Sequence, residues 1–301
     1  MDPKYRRAFN AGFSDDLYQR YQQDLSDRLN CPFEFRLAET PVFLDSDLRS
    51  RLVKAAEEIV QQLSDPVRLN RMKQAIPDRW RVPAMDALPS FAQVDFAIVR
   101  DSSGALVPRL IELQGFPSLT ALQAVQRDSW TEILRGVPGL DENWSCWFSG
   151  LTREGFLRLA RNTIVGDHIP DEVILMDIDP PHQKTFPDFA ATKLLFGVDP
   201  LDPRALVKEG RRLFRALNGR RVPVRRIYNR VVFDELEQKQ IDLPFSYREE
   251  LEVEWTPHPN WYWVWSKYSI PFLDHPVVPR AIFLSDMLEL PPNLSSRFVL
   301  K

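Results

Sequence analysis

Glu112 and Gln114 stand two apart in the stretch LIELQGFPS, Leu110 to Ser118. In a β-strand such residues project from one face. A carboxylate and a carboxamide therefore point the same way just before Gly115 and Pro117 end the run. A third group lies upstream. QVDFAIV and LVPRLIELQ read as strands, and RDSSG between them supplies the turn formers Asp101, Ser102, Ser103 and Gly104. With the turn centred between Ser103 and Gly104, Asp95 falls opposite Glu112 and Gln114 lies one step along on the same face. Val94, Phe96 and Ile98 then pair with Leu113, Ile111 and Arg109 on the other face. Directly paired residues hold their Cβ atoms ~4.5–5.5 Å apart, and like charges so placed destabilise a sheet. A divalent cation would offset that repulsion, and Mg2+ is typically held by one or two carboxylates together with phosphates and waters. The same pattern also describes the polar, solvent-facing side of an amphipathic hairpin.

The elements that must position this face are legible in outline. DSDLRSRLVKAAEEIVQQLSD has Leu48, Leu52, Ile59 and Leu63 near helical spacing, with Asp45 or Ser46 to cap it. SLTALQAVQRDSWTEILRG is expected as a helix capped by Ser118 and stopped near Gly136. EVILMDID reads as a buried strand. FPDFAATKLLFG and PRALVKEGRRLFRALNG read as helices closed by Gly197 and Gly219. VRRIYNR is expected as a strand, VVFDELEQ as a short helix, and PNWYWVWSKYSIPFL as helical up to Pro271. Strands alternating with helices predict a mixed α/β fold.

Composition bounds the function. The 301 residues are 44% hydrophobic and 27% charged, as in ordinary globular proteins. Lys plus Arg total 39 against 42 Asp plus Glu, a balance that argues against a nucleic-acid binder. Cys31 and Cys146 show no metal-ligand spacing and fit a reducing, cytoplasmic setting. No apolar run approaches the ~20 residues of a membrane span. The 25 prolines are scattered as turn punctuation.

VDFAIVRDSSGALVPRLIELQGFPS resembles the metal-binding segment of glutathionylspermidine synthase and its relatives, the circularly permuted ATP-grasp ligases. In those enzymes an Asp in an Arg-x-Asp-Phe strand and a Glu-x-Asn pair on the next strand hold the Mg2+ of ATP. The resemblance assigns the metal to Asp95, Glu112 and Gln114, the last in place of Asn. Gln93 stands where the family has an arginine that contacts phosphate. PVRRIYNRVVFDEL resembles the family's strand-to-helix segment, and SKYSIPFL its lysine-bearing helix, which implies nucleotide contact for Lys267. PPNLSSRFVLK resembles the strand that delivers an ATP-contacting lysine, here Lys301. The glycine-rich loop that follows that lysine in the family has no counterpart before the sequence ends, so the expectation is an N-terminal portion of a longer enzyme. The implied fold is an incomplete ATP-grasp-like α/β fold. Its expected regions are a mainly helical 1–90, the hairpin and following helix over 91–150, an α/β region over 151–290, and the start of an ATP-binding region at 291–301.

Other features have both functional and ordinary readings. Ten basic residues and one acid, Glu209, lie between Arg204 and Arg230. Arginine suits bidentate phosphate contacts, and Arg226 and Arg230, on a strand near its end, are the candidates for catalytic contact with phosphate or substrate. The ordinary reading is a solvated helix face paired with the acidic segment that follows. Trp255, Trp261, Trp263 and Trp265 suggest a recognition platform, but read as core or domain interface. The four histidines lack zinc spacing. Asp177 and Asp179 end a strand where α/β proteins bind ligands, or else form a turn. The resulting expectation is an ATP- and Mg2+-dependent ligase joining a small-molecule or peptide carboxylate to an amine. The alternatives are a non-catalytic binding protein on a decayed ligase fold and a metal-dependent hydrolase or phosphotransferase.

Overall fold

A computed structural model describes residues 2–141, 144–289 and 298–299. In chain order the helices are α1 (Pro3–Gly12), α2 (Asp15–Leu29), α3 (Ser46–Leu63), α4 (Pro66–Met72), α5 (Thr120–Leu134), α6 (Arg153–Ile164), α7 (Phe186–Phe196), α8 (Phe233–Gln238) and α9 (Trp261–Val264). The strands are β1 (Gln93–Arg100), β2 (Leu106–Gln114), β3 (Val173–Met176), β4 (Asp199–Leu201), β5 (Val207–Glu209), β6 (Arg212–Leu217), β7 (Arg220–Val224), β8 (Arg226–Asn229) and β9 (Glu254–Thr256). The protein is mixed α/β, with parallel and antiparallel sheets. It divides into two compact units, each drawn from separated stretches of chain. One comprises Met1–Ser46, Val82–Ala84 and Pro117–Pro259; the other comprises Asp47–Arg81, Met85–Phe116 and Asn260–Lys301.

The larger unit is built on a parallel sheet of order β4-β3-β8-β9. Its inner strand β3, VILM, is buried at every residue, as a continuous apolar run in a parallel sheet should be. One side chain ties this unit together. Asp188, in the first turn of α7 and fully buried, accepts from the backbone N–H groups of Ala121 and Leu122, each at 2.9 Å. Those donors belong to the first turn of α5 and would otherwise be unsatisfied. Its other oxygen meets Arg230 Nη1 at 2.5 Å. Ser118 is therefore not the cap of α5. Leu119 precedes the helix in a left-handed conformation with no side-chain cap of its own, and the cap arrives from α7.

The segment PRALVKEGRRLFRALNG is not a helix. It forms a short 3-10 turn and then the antiparallel meander β5-β6-β7. The deciding local signal is Asn218-Gly219, both at positive φ (49° and 72°), which is the turn a two-residue hairpin demands. The basic island lies on and around this meander and is largely paired. Arg221 meets Glu209, Lys208 meets Glu249, and Arg211 and Arg212 meet Glu250 and Glu252. The pairing of Lys208, Arg211 and Arg212 with the acidic segment is as the ordinary reading expected, but the face is a meander, not a helix, and Arg215 and Arg230 are buried.

The smaller unit packs β1 and β2 with α3, α4 and α9 around Ile59, Leu63, Met72, Leu110, Leu113, Trp261 and Trp265. The expected tryptophan core holds for Trp261 and Trp265, both buried. The expected helix through Pro271 is broken: α9 ends at Val264, and a 3-10 stretch covers Lys267–Phe272. Helices α1, α2, α4 and α6 were not read from the sequence. Among the described residues no helix is long and apolar enough to cross a membrane.

Breaking the Arg230–Asp188 pair leaves a buried charge unmatched, which typically costs about 3–5 kcal/mol. Arg230→Met is expected to destabilise by that order in denaturant titration, whereas Arg220→Met, on an exposed stretch of β7, should change stability by less than about 0.5 kcal/mol.

Candidate functional site: the polar face of the hairpin

Strands β1 and β2 place Gln93 opposite Gln114, Val94 opposite Leu113 and Asp95 opposite Glu112. The register then shifts: Phe96 pairs with Leu110, Ala97 with Arg109 and Ile98 with Pro108. The extra residue is Ile111, which bulges and is 42% exposed. The Asp95–Glu112 pairing is as expected, but the expected partners Phe96–Ile111 and Ile98–Arg109 are not. The turn is centred half a residue earlier than the sequence reading placed it, and the bulge restores the register at Asp95. The turn itself is an Asp101 motif, whose Oδ1 accepts from the N–H groups of Ser103 and Ala105 at 2.9 and 3.0 Å.

The bulge also sorts the two faces. Leu110 and Leu113 are three apart, an odd spacing that a regular strand would send to opposite sides. Both are buried, with Val94 and Phe96 packed against the same core. Gln93, Asp95, Glu112 and Gln114 are thereby left together on the other face.

The like charges on that face are answered from within the chain. Gln93 Nε2 donates to Asp95 Oδ1 at 3.2 Å, and Gln114 Nε2 donates to Glu112 Oε1 at 2.9 Å. Lys267 Nζ meets Glu112 Oε2 at 2.8 Å. Gly115 makes that last contact possible. Its N–H donates to the carbonyl of Trp265 at 2.7 Å. A Cβ at Gly115 would stand 2.9 Å from Trp265 Cβ and 3.3 Å from Trp261 Cβ. The glycine lets the end of β2 lie against the turn after α9. There Ser266 Oγ accepts from the Tyr268 N–H at 3.2 Å and opens the 3-10 stretch that begins with Lys267.

Asp95, Glu112 and Gln114 offer hard oxygen donors on one face, the chemistry Mg2+ takes when substrate phosphates complete its shell. A side-chain-only site is not present: among the described residues no group of three or more His, Cys, Asp and Glu is placed to hold a metal. Both Glu112 oxygens are engaged, one by Gln114 and one by Lys267, so a cation here would meet an ammonium on the same carboxylate. Lys301 lies outside the described residues.

Arg226 and Arg230, expected to be catalytic, are built into the framework of the larger unit. Arg226 donates from Nε to the carbonyl of Ile164 at 3.1 Å and from Nη2 to that of Thr163 at 2.8 Å. Those are carbonyls at the end of α6, beyond the reach of intrahelical donors; that of Thr163 also accepts from the Thr256 hydroxyl at 2.8 Å. Its Nη1 pairs with Glu254. Arg230 is held by Asp188, with its side chain 5% exposed. Sequence reasoning missed this because a strand-borne arginine announces neither a distant helix end nor a buried carboxylate.

At the carboxyl ends of the parallel strands, Asp177 is buried and Asn229 has no hydrogen-bond partner for either amide atom. Burial pushes the Asp177 carboxyl up to about 7, against the opposing pull of the Ile178 N–H and Arg230. Asn229 was not singled out in the sequence, and no local pattern marks it.

No protein-family profile matches the chain. No curated protein matches it either. A solved structure does. The apo form of a glutathione synthetase-like effector from Globodera pallida superposes with a TM-score of 0.51 at 11% identity, covering 92% of this chain and 67% of that one. The fold is glutathione synthetase-like. At this identity the likeness concerns the fold alone.

Two outcomes test this geometry. Gly115→Ala forces Trp265 away and is expected to cost about 1–3 kcal/mol, as overpacking does, read by thermal unfolding. For Asp177, a folded-state pKa raised from 3.8 to about 7 means that the folded protein holds a proton the unfolded chain has lost. Stability should therefore be full below about pH 4, fall as pH rises toward 7 by at most about 4 kcal/mol, and then level. Asp177→Asn should flatten that profile.

Proposed function

We propose that this chain carries the cation-binding face of an ATP-dependent carboxylate–amine ligase of the ATP-grasp type. The observation that supports this reading is the side-by-side pairing of Asp95 and Glu112 at the end of a hairpin within a glutathione synthetase-like fold. In such a reaction a substrate carboxylate attacks the γ-phosphate of ATP, releasing ADP. The amine then attacks the acyl phosphate, and inorganic phosphate leaves. Bound Mg2+ would supply charge neutralisation on the transferring phosphoryl group. Asp95 and Glu112 would hold the ion through carboxylate oxygens and Gln114 through its amide oxygen. Lys267, half exposed and on the same face, would counter phosphate charge, as would Lys301. The protein's part is positioning and electrostatics. The substrates by this reading are small-molecule or peptide carboxylates and amines.

Gln93 favours a second reading. It stands where the resembled enzymes carry a phosphate-contacting arginine, and here its amide serves Asp95. A face that holds a nucleotide without turning it over, in a binding protein on a ligase fold, would need no cation at that position.

Glu112→Gln separates these readings. It removes one of two opposed carboxylates and also the Lys267 pair, so the melting temperature should move by no more than a few degrees. If the ligase reading holds, Mg2+-dependent ATP turnover falls at least a hundredfold. Unchanged turnover would refute a catalytic face, and nucleotide binding without turnover in the wild type supports the second reading.

A further inference from the structure

Among the described residues the polar face of the hairpin carries two carboxylates and one ammonium. Asp95 and Glu112 are directly paired across the strands, and Lys267 reaches only one of them, at Glu112 Oε2. Among the described residues Asp95 receives the neutral amide of Gln93 and no cation. With Lys267 in place, the formal charge of the three groups is −1. A divalent cation between the carboxylates would bring the two of them to zero by itself. With both cations present the sum is +1, and an ammonium beside a divalent ion sharing one carboxylate is repulsive.

The exposure of the lysine supports exchange. Its side chain is 51% exposed while that of Glu112 is 19% exposed, so the carboxylate is the fixed partner and the ammonium the one that can leave. Lysine is suited to this role: a point charge on a flexible stem, without the planar fork by which arginine would grip the carboxylate twice. Exposed pairs of this kind contribute little to stability, so releasing one requires little compensation.

We infer that Lys267 and a divalent cation are alternative occupants of Glu112. The lysine is the built-in counter-charge of the face, and the arrival of the cation frees an ammonium beside the bound ion, where an anionic ligand of that ion would meet it. This inference rests on the hairpin face being a cation site, and adds that the site is gated by a charge of the protein's own.

Mn2+ titration of the 301-residue chain, followed by electron paramagnetic resonance, tests it. Lys267→Gln is expected to bind Mn2+ roughly tenfold more tightly than wild type. Lys267→Arg, which keeps the charge, should bind no more tightly than wild type, and Glu112→Gln should abolish binding in either background. In the unmodified protein, saturating Mn2+ should raise the rate at which an acylating reagent labels Lys267, measured by mass spectrometry. That readout does not depend on any variant folding. Equal Mn2+ affinity in wild type and Lys267→Gln, with labelling unaltered, overturns the exchange and leaves the cation site standing. Absence of Mn2+ binding in every form overturns both.

Discussion

A strand has a period of two, and Leu110 and Leu113 cannot both face a core unless one extra residue intervenes. Ile111 is that residue. Everything distinctive about the hairpin follows from the insertion: a continuous apolar face on one side, and four polar side chains gathered on the other. Without the bulge the apolar pairing beyond Asp95 would slip by one. The carboxylates would then lose either their partnership or their shared face. The polar face thus depends on the demand for burial on the opposite side, and a hydrophobic constraint sets the electrostatics.

Pairing of Asp95 with Glu112 was legible in the sequence, though for a reason that was half correct. The turn was misplaced and the bulge unseen, and the two errors cancelled at that position while leaving Ile111 on the wrong face. The mixed α/β class, β3, β8, α3 and α7 were also legible, since their periodicity or apolar run is uninterrupted. The meander β5-β6-β7 was not. Its leucines and arginines suit a helix, and Asn218-Gly219, read as a helix stop, is in fact a hairpin turn. One dipeptide carried the information that a longer pattern obscured.

The long-range polar contacts were the least legible. Asp188 sits in the first turn of a helix, an ordinary place for an acid, and nothing nearby reveals that it caps a different helix or pairs with Arg230. Arg226 likewise looks available from sequence and is fully engaged with α6 and Glu254. Lys267 shows the converse. The resemblance marked it as a nucleotide contact, but the carboxylate it meets became visible only once Gly115 had brought the end of β2 against the turn after α9. Local propensity speaks to elements, whereas the partner of a buried or bridging charge is a property of topology.

The cap on α5 has a further consequence for how the larger unit opens. Helix ends ordinarily fray first, because their leading amides are held by local groups that open on their own. The leading amides of α5 are held by a carboxylate 66 and 67 residues further along the chain. That carboxylate is in turn fixed by an arginine 42 residues beyond it. Releasing the first turn of α5 therefore means separating α7 from β8 as well. Proton exchange at Ala121 and Leu122 should accordingly report on cooperative opening of the unit, placing the slowest amides of that helix at the end where the fastest are normally found.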